Sequence, residues 1–369
     1  MTDLLADVQA WVQAGRAVAL ATVIRTWGSA PRPAGSKMAV SDRGDMSGSV
    51  SGGCVEGAVI TEAIQALVDG RPRRVSYGVA DETAWEIGLT CGGQIEIFVE
   101  PLLAPGLPAA KGKNLLEALQ SCKADRTSWL RGVIVDGPTG TVGSSALWDS
   151  SGHGQGDIGQ EWMKRLTPDA ADLLKTGTAE ARAYRVGATN LEVLFDPLVP
   201  PATLVIVGGV HIAMALTRLA QAVGYRVVVV DPRGAFATPE RFPDTVIETS
   251  WPDEGLRRVG LSGSSAVAVL SHDPKLDDPA LMVALRSPAF YVGALGSRKT
   301  QALRRSRLKA AGLTDDELGR LHGPIGIDLG RTDPEGIALA ILAEIVATRA
   351  GRGPKQADNS VDDPLESHA

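Results

Sequence analysis

A chain of 369 residues is too long for one ordinary core and fits about two domains at roughly 150 residues each. With 44% hydrophobic and 22% charged residues, 42 glycines and only 4% aromatics, its composition is that of a folded protein, which excludes disorder as the default. The formal charge of −6 supplies no general basic field for nucleic acid or an anionic membrane, so any anion must be held by a local site.

The opening "MTDLLADVQAWVQAG" carries acids and an amphipathic rhythm where a secretory signal would carry a basic end and an apolar run. Apolar stretches such as "VVVV" and "IALAILAEIVA" are too short or interrupted to span a bilayer, so a cytoplasmic protein without a membrane partner is expected. The cysteines are Cys54, Cys91 and Cys122, an odd number without zinc-type spacing, which reads as reduced thiols.

Leu4, Val8, Trp11 and Val12 recur at helical spacing, with Thr2 as N-cap and Gly15 as stop. "AVALATVI" (17–24) reads as a buried strand, and "KMAVS", the turn "DRGD" and "MSGSVS" as a hairpin. Residues 54–68 return to a helical period, and "QIEIFVE" (94–100) alternates as a strand. Further on, a helix is predicted from about Lys113 to Ala124, "GVIVD" as a strand, and "WDSSGHGQGDIGQ" as a surface loop.

"IEIFVEPLLAP" (95–105) and "LEVLFDPLVPP" (191–201) match in type at nearly every position. They are either two unrelated strands that share an acid-proline stop or equivalent exits from one sheet, in which case residues 106–190 complete the first domain. After Pro200 and Pro201 strands and helices alternate, which implies a parallel sheet with helices on its faces. The expected fold class is α/β: an N-terminal α/β domain over 1–199, least defined over 106–190, then a Rossmann-like doubly wound parallel sheet over 200–350. A tail, 351–369, has no apolar period and is expected to be disordered.

"TLVIVGGVHIAMALTRLAQAVGYRVVVVD" is a strand, a glycine turn, a helix and a second strand ending in Asp231, suitably placed for a ribose-binding carboxylate. Gly208 and Gly209 fit a dinucleotide turn, but Val210 stands where the second glycine would let backbone approach a pyrophosphate. NAD(P) binding and a Rossmann-like scaffold for another ligand therefore both stay open. His211, at the start of the helix, is either a ligand contact or a packed or capping histidine. Where later strands end, "LSHDPKLDDP" places His272, and "VGALGSRKT" places Ser297, Arg298 and Lys299 at a helix start able to receive a phosphate, unless these cations are only a solvated face. "RTDPEGIALAILAEIVA" reads as a helix capped by Thr332 with Glu335.

In "GSVSGGCVEGAV" (48–59), Gly52 and Gly53 end a strand and Cys54 begins a helix, with Gly53 as its N-cap. A thiol in a first helical turn has its thiolate stabilised by the dipole, which favours reactivity and soft-metal binding; the alternative is a small buried hydrophobe. Glu56 suits either a reach back to the cap or proton transfer. Upstream, Arg25, Arg32 and Lys37 offer donors to an anion, and Cys91 in "LTCGGQ" also precedes two glycines.

"GSVSGGCVEGAV", "LTCGGQIEIFVEPL", "SHDPKLDDPAL", "YVGALGSRK" and "GPIGIDLGRTDPEGIALAILAEIVA", in this order, resemble the xanthine dehydrogenase accessory factor family, of the XdhC/CoxI type. The likeness covers roughly residues 10–105 and 200–348. The resemblance implies a cytoplasmic, homodimeric maturation protein without turnover of its own. It would bind molybdenum cofactor (molybdopterin), cooperate with a cysteine desulfurase in its sulfuration, and pass it to an apo molybdenum hydroxylase of the xanthine dehydrogenase type. It points to Cys54 as the residue meeting the molybdenum or a sulfur in transit, beside Gly52, Gly53 and Cys91. The family's G-A-G-H-x-G turn stands here as "GGVHIA", which retains His211. The competing reading is an NAD(P)-dependent oxidoreductase built on the second domain, for which no Tyr-x-x-x-Lys pair or other hydride-transfer constellation is present.

Overall fold

The apolar runs on either side of Pro200 differ in period, and they build two different kinds of sheet. In the computed structural model, which describes residues 2–29, 32–78, 93–104, 109–186 and 189–352, the chain divides into two compact units, Met1–Pro200 and Pro201–Ala369. The tail from residue 353 onward, expected to be disordered, lies outside the described residues.

Unit 1 holds two copies of one arrangement. The first runs α1 (Thr2–Gln13), β1 (Val18–Trp27), β2 (Lys37–Ser41), β3 (Met46–Gly48), α2 (Glu56–Asp69), β4 (Arg73–Tyr77) and β5 (Gln94–Leu103). The second runs α3 (Ala109–Ala124), β6 (Trp129–Asp136), β7 (Ser145–Asp149), β8 (Gly154–Gly156), α4 (Gln160–Thr176), β9 (Glu180–Val186) and β10 (Thr189–Leu198). The two antiparallel sheets have orders β3-β2-β1-β5-β4 and β8-β7-β6-β10-β9, which are the same order. Even the irregularities coincide: pairing with β5 skips Ile24, and pairing with β10 skips Val135. The echo at 95–105 and 191–201 thus marks equivalent strands, β5 and β10, of two separate sheets and not exits from one.

The halves meet through cores drawn from both. Ile24, Phe98, Val133, Val135 and Leu194 form one buried cluster, and α1 and α3 contribute Leu4, Val8, Leu115 and Leu119 to another. The matching acids at the strand ends pair crosswise. Glu100 of β5 takes Arg131 of β6, with Nη1 2.8 Å from Oε1 and both side chains at most 2% exposed. Asp196 of β10 takes Lys37 of β2 at 2.6 Å. Charges this deep persist only when paired, so each half supplies the counter-ion for the other.

Two local expectations are corrected. "WDSSGHGQG" is not a loop but the β7–β8 hairpin, with Ala146 opposite Gly156 and Trp148 opposite Gly154. Its glycines are required: a Cβ at Gly156 would lie 2.2 Å from the Ser145 carbonyl oxygen, and one at Gly154 2.6 Å from the Trp148 indole nitrogen. The last helix, α10 (Pro334–Arg349), is capped by Asp333, whose carboxylate accepts from Gly336 N–H, instead of by Thr332.

Unit 2 is a doubly wound parallel sheet, the C-terminal fold that its alternating strands and helices predict. β11 (Thr203–Val207), β12 (Arg226–Val230), β13 (Val246–Glu248), β14 (Ser265–Val269), β15 (Tyr291–Ala294) and β16 (Leu321–His322) take the order β13-β12-β11-β14-β15-β16. α5 (His211–Ala222) and α10 cover one face, with α6 (Pro252–Val259), α7 (Pro274–Arg286), α8 (Arg298–Ala310) and α9 (Asp315–Gly319) completing the unit. Both faces are covered, so β11 and β14 are buried at every residue and their sequences run apolar without alternation. The order reverses between β11 and β14, where a sheet of this kind opens a crevice at its carboxyl edge.

Candidate functional site

The passage from β3 into α2 is densely hydrogen-bonded. Gly52 and Gly53 take φ of +82° and +119°, a region that glycine alone enters freely, and this turns successive N–H groups inward. They converge on Glu56. Its Oε1 accepts from the Ser49 hydroxyl at 2.7 Å, Ser51 N–H at 2.9 Å and Gly52 N–H at 3.0 Å. Oε2 accepts from Gly53 N–H at 2.8 Å and from the Ser51 hydroxyl.

Burial works to raise the Glu56 carboxyl, but the Ser51 and Ser49 hydroxyls and the backbone donors outweigh it and hold it at about 2. A group so placed is an anion throughout the neutral range and has no proton to transfer. Glu56 is therefore an acceptor for the turn's own donors, the reach back toward the cap that the sequence offered as one alternative. The helix starts later than expected: Glu56 is its first residue and Val55, not Gly53, its N-cap.

Cys54 lies two residues before α2, with its N–H donating to Ser51 Oγ at 3.0 Å. It is half-buried, without a disulfide, and packs against the cluster of Val55, Val59 and Ala63. Among the described residues a Cβ added at Gly53, next to the thiol, or at Gly57, on the first turn of α2, would meet nothing within 4 Å. Among the described residues no group of three or more His, Cys, Asp and Glu could hold a metal ion. Cys91 lies outside the described residues. Cys122, buried on α3 with its thiol donating to the Leu198 carbonyl, is pushed up to about 11 by burial and is inert packing.

The upstream cations are mostly engaged. Lys37 is tied to Asp196 and to the Gly35 carbonyl, with only 7% of its side chain exposed, so it cannot serve an anionic ligand. Arg25 pairs with Glu192 and lies 3.9 Å from Glu96. Arg74 bridges the same two acids at 2.6 Å each. Arg25 thus belongs to a four-membered ion cluster joining β1, β4, β5 and β10. Arg32 is exposed.

In unit 2 the predicted residues lie on the loops at the carboxyl edge. Gly208 adopts φ +101°, and a Cβ there would sit 2.9 Å from the backbone nitrogen of Ser271; a Cβ at Gly209 would lie 2.4 Å from the Phe236 carbonyl oxygen. Both glycines are thus demanded by the protein's own packing. Asp231 is fully buried, and its carboxylate accepts from Gly209 N–H at 2.8 Å, Arg233 N–H at 2.9 Å and the Arg233 guanidinium at 2.8 and 2.9 Å. Burial opposes its charge, yet Arg233 and the two amides hold the carboxyl below its ordinary value. Arg233 in turn lies over the Phe236 ring, 4.0 Å from its centroid. The expected ribose carboxylate is already occupied by Arg233.

His211 opens α5, exposed, and His272, also exposed, takes φ +62° on the neighbouring β14 loop. Ser297 caps α8 by accepting from Thr300 N–H at 3.2 Å, and Arg298 is its exposed first residue. Beneath them runs a network that the sequence did not disclose. Ser271 Oγ donates to Asp277 at 2.5 Å, Asp277 pairs with Arg304 at 2.9 Å, and Arg304 donates to the Leu295 carbonyl at 3.0 Å. Arg304 also binds Gln301 Oε1 at 2.7 Å, while Gln301 Nε2 donates to the Ala294 carbonyl at 2.8 Å. The β14 and β15 loops are thereby braced by buried polar groups. A second network joins Tyr291, His322 and Gly326 N–H to Glu344 at 2.6, 2.9 and 2.7 Å.

Fold and site together define a class: a two-unit α/β protein with a thiol on a glycine turn in a doubled antiparallel unit and a Rossmann-type sheet after it. The chain belongs to the XdhC and CoxI family, whose profile matches residues 11–78, with the XdhC Rossmann domain matching residues 204–345. It is 28% identical over 339 residues to the molybdenum cofactor insertion chaperone PaoD of Escherichia coli, covering 92% of this chain and 85% of that protein. It is 27% identical over 342 residues to a probable xanthine dehydrogenase subunit of Bacillus subtilis, covering 89% and 92%. A solved structure described as a xanthine dehydrogenase from Bacillus halodurans shares the fold, with a TM-score of 0.74 at 22% identity over 97% of this chain and 98% of that one.

Proposed function

We propose that this protein holds molybdenum cofactor as cargo during maturation and delivers it to an apo molybdenum hydroxylase of the xanthine dehydrogenase type, with Cys54 meeting the molybdenum or its transferred sulfur. The observation that carries the reading is the placement of Cys54: a half-buried cysteine on a densely hydrogen-bonded turn, next to Gly53, beside which a Cβ would meet nothing within 4 Å among the described residues. That leaves room for a bulky ligand beside the only sulfur of the turn. The likeness to a cofactor insertion chaperone over most of both chains supports the same role. Sulfuration with a cysteine desulfurase and a homodimeric state belong to the proposal.

The cofactor's phosphate would find its cation at exposed Arg32, because Arg25 and Lys37 are held by carboxylates. The oxidoreductase reading is the weaker one, since both oxygens of Asp231 are engaged within the protein.

The test is to purify the full chain and Cys54→Ser from molybdenum-replete cells and to measure bound molybdenum and released pterin. The expected result is co-purifying cofactor in the parent chain and its loss in the variant at unchanged thermal stability. Equal cofactor content in the two proteins refutes the role of Cys54, and none in either refutes the cargo. Tight NAD(P)H binding with substrate-dependent oxidation would establish the oxidoreductase instead.

A further inference from the structure

The doubling of unit 1 provides an internal control for the thiol turn. In the second copy the same strand-to-helix passage, β8 into α4, takes only residues 157–159, and α4 starts behind Gly159 with no side-chain cap. In the first copy the passage takes residues 49–55 and carries Ser49, Ser51, Gly52, Gly53 and Cys54. The fold therefore does not need the longer turn or its serines.

We propose that Glu56 is the positioning residue of the Cys54 site: its carboxylate fixes the direction of the turn that presents the thiol. This rests on the reading of Cys54 as the residue that meets the cargo. The linkage is explicit. Ser51 gives its single hydroxyl proton to Glu56, which leaves its lone pairs for Cys54 N–H and Val55 N–H, each at 3.0 Å. The other donors, Ser49 Oγ and the N–H groups of 51, 52 and 53, fill the remaining acceptor directions of the carboxylate. Glu56 is only 6% exposed, so it acts on a ligand through this turn.

A carboxamide cannot replace it. Glutamine has one oxygen, so its NH2 group faces either the Ser49 hydroxyl with the Ser51 and Gly52 amides, or the Gly53 amide with the Ser51 hydroxyl. In either orientation backbone donors lose their acceptor and the turn reorients, while α2 keeps its apolar seat on the sheet.

The experiment compares the full chain with Glu56→Gln, Cys54→Ser and the double variant. Alkylation by iodoacetamide is followed peptide by peptide, with buried Cys122 of the same unit as the internal reference for general loosening, and bound molybdenum is measured per folded protomer. In Glu56→Gln the alkylation rate of Cys54 is expected to rise at least about fivefold more than that of Cys122, whose own rise reads the general loss of stability. Molybdenum retention is expected to fall as far as in Cys54→Ser, and the double variant to be no worse than the single ones. An unchanged Cys54 rate and pH profile overturns the proposal, as does a parallel rise at Cys122, which would mark Glu56 as structural only. Should Cys54→Ser retain its molybdenum, the cargo role of Cys54 fails separately, while the alkylation rates still decide whether Glu56 sets the thiol.

Discussion

Removing Asp277 tests whether the buried network under the β14 and β15 loops supports unit 2. Asp277 and Arg304 are each 2% exposed and 2.9 Å apart, and burial pushes the Asp277 carboxyl up despite the neighbouring guanidinium. Asp277→Ala leaves the Arg304 charge with only the Leu295 carbonyl and Gln301 Oε1 as acceptors. An unpaired buried charge costs about 3–5 kcal/mol. For a unit of this size that is a fall of roughly 6–20 °C in its unfolding midpoint. Scanning calorimetry of the full chain reads it as an early transition. The pair Asp277→Leu with Arg304→Met, which removes both charges, should return to within about 2 kcal/mol of the parent. A single variant costing less than about 1 kcal/mol, or a double variant no better than the single one, would refute the reasoning.

Two further outcomes follow from the same geometry. Glu56, held at about 2 against an ordinary 4.5, contributes stability that is complete above 4.5 and is lost as the pH falls toward 2. Screening at the turn's open edge brings this to roughly 1–2 kcal/mol, so stability curves of the parent and Glu56→Gln in urea should converge between pH 5 and 2; parallel curves would contradict it. Gly208→Ala, with φ +101° and Ser271 backbone 2.9 Å away, should destabilise unit 2 by about 2 kcal/mol or more. Gly224→Ala, where a Cβ meets open space at φ +87°, should cost about 1 kcal/mol, and equal losses would show that the close approach to Ser271 is relieved by movement.

Periodicity disclosed the strands and helices whose pattern repeats within a few residues: β1, β5, α2, and the alternation after Pro200. It also exposed the likeness of β5 to β10, because equivalent positions in two similar sheets select similar residues. What it could not disclose were partners distant in sequence. Arg25 and Lys37 look like free cations in a loop, yet their acids Glu192 and Asp196 stand 167 and 159 residues downstream. Arg304 sits in "RKTQALRRSR", a run that reads as a solvated face, because its acid lies 27 residues upstream. β8 was illegible for a different reason: a strand made of Gly154, Gln155 and Gly156 has no side-chain alternation, only the need to pass beneath Trp148 and Ser145. Asp231 was found at its expected strand end, but the guanidinium that occupies it follows two residues later in "DPRG", where nothing in the spacing distinguishes a ligand's donor from the protein's own.

The doubled architecture of unit 1 also has a consequence for how its halves stay paired. Two halves on one polypeptide meet by closing a loop, at an effective concentration that dilution does not alter, so their interface needs no second chain to form. Each half is then held in place by the crossed Glu100–Arg131 and Lys37–Asp196 pairs whether or not it binds anything itself. The second half can therefore remain a blank buttress, and of the two equivalent strand-to-helix passages in unit 1 only the one from β3 into α2 carries a thiol.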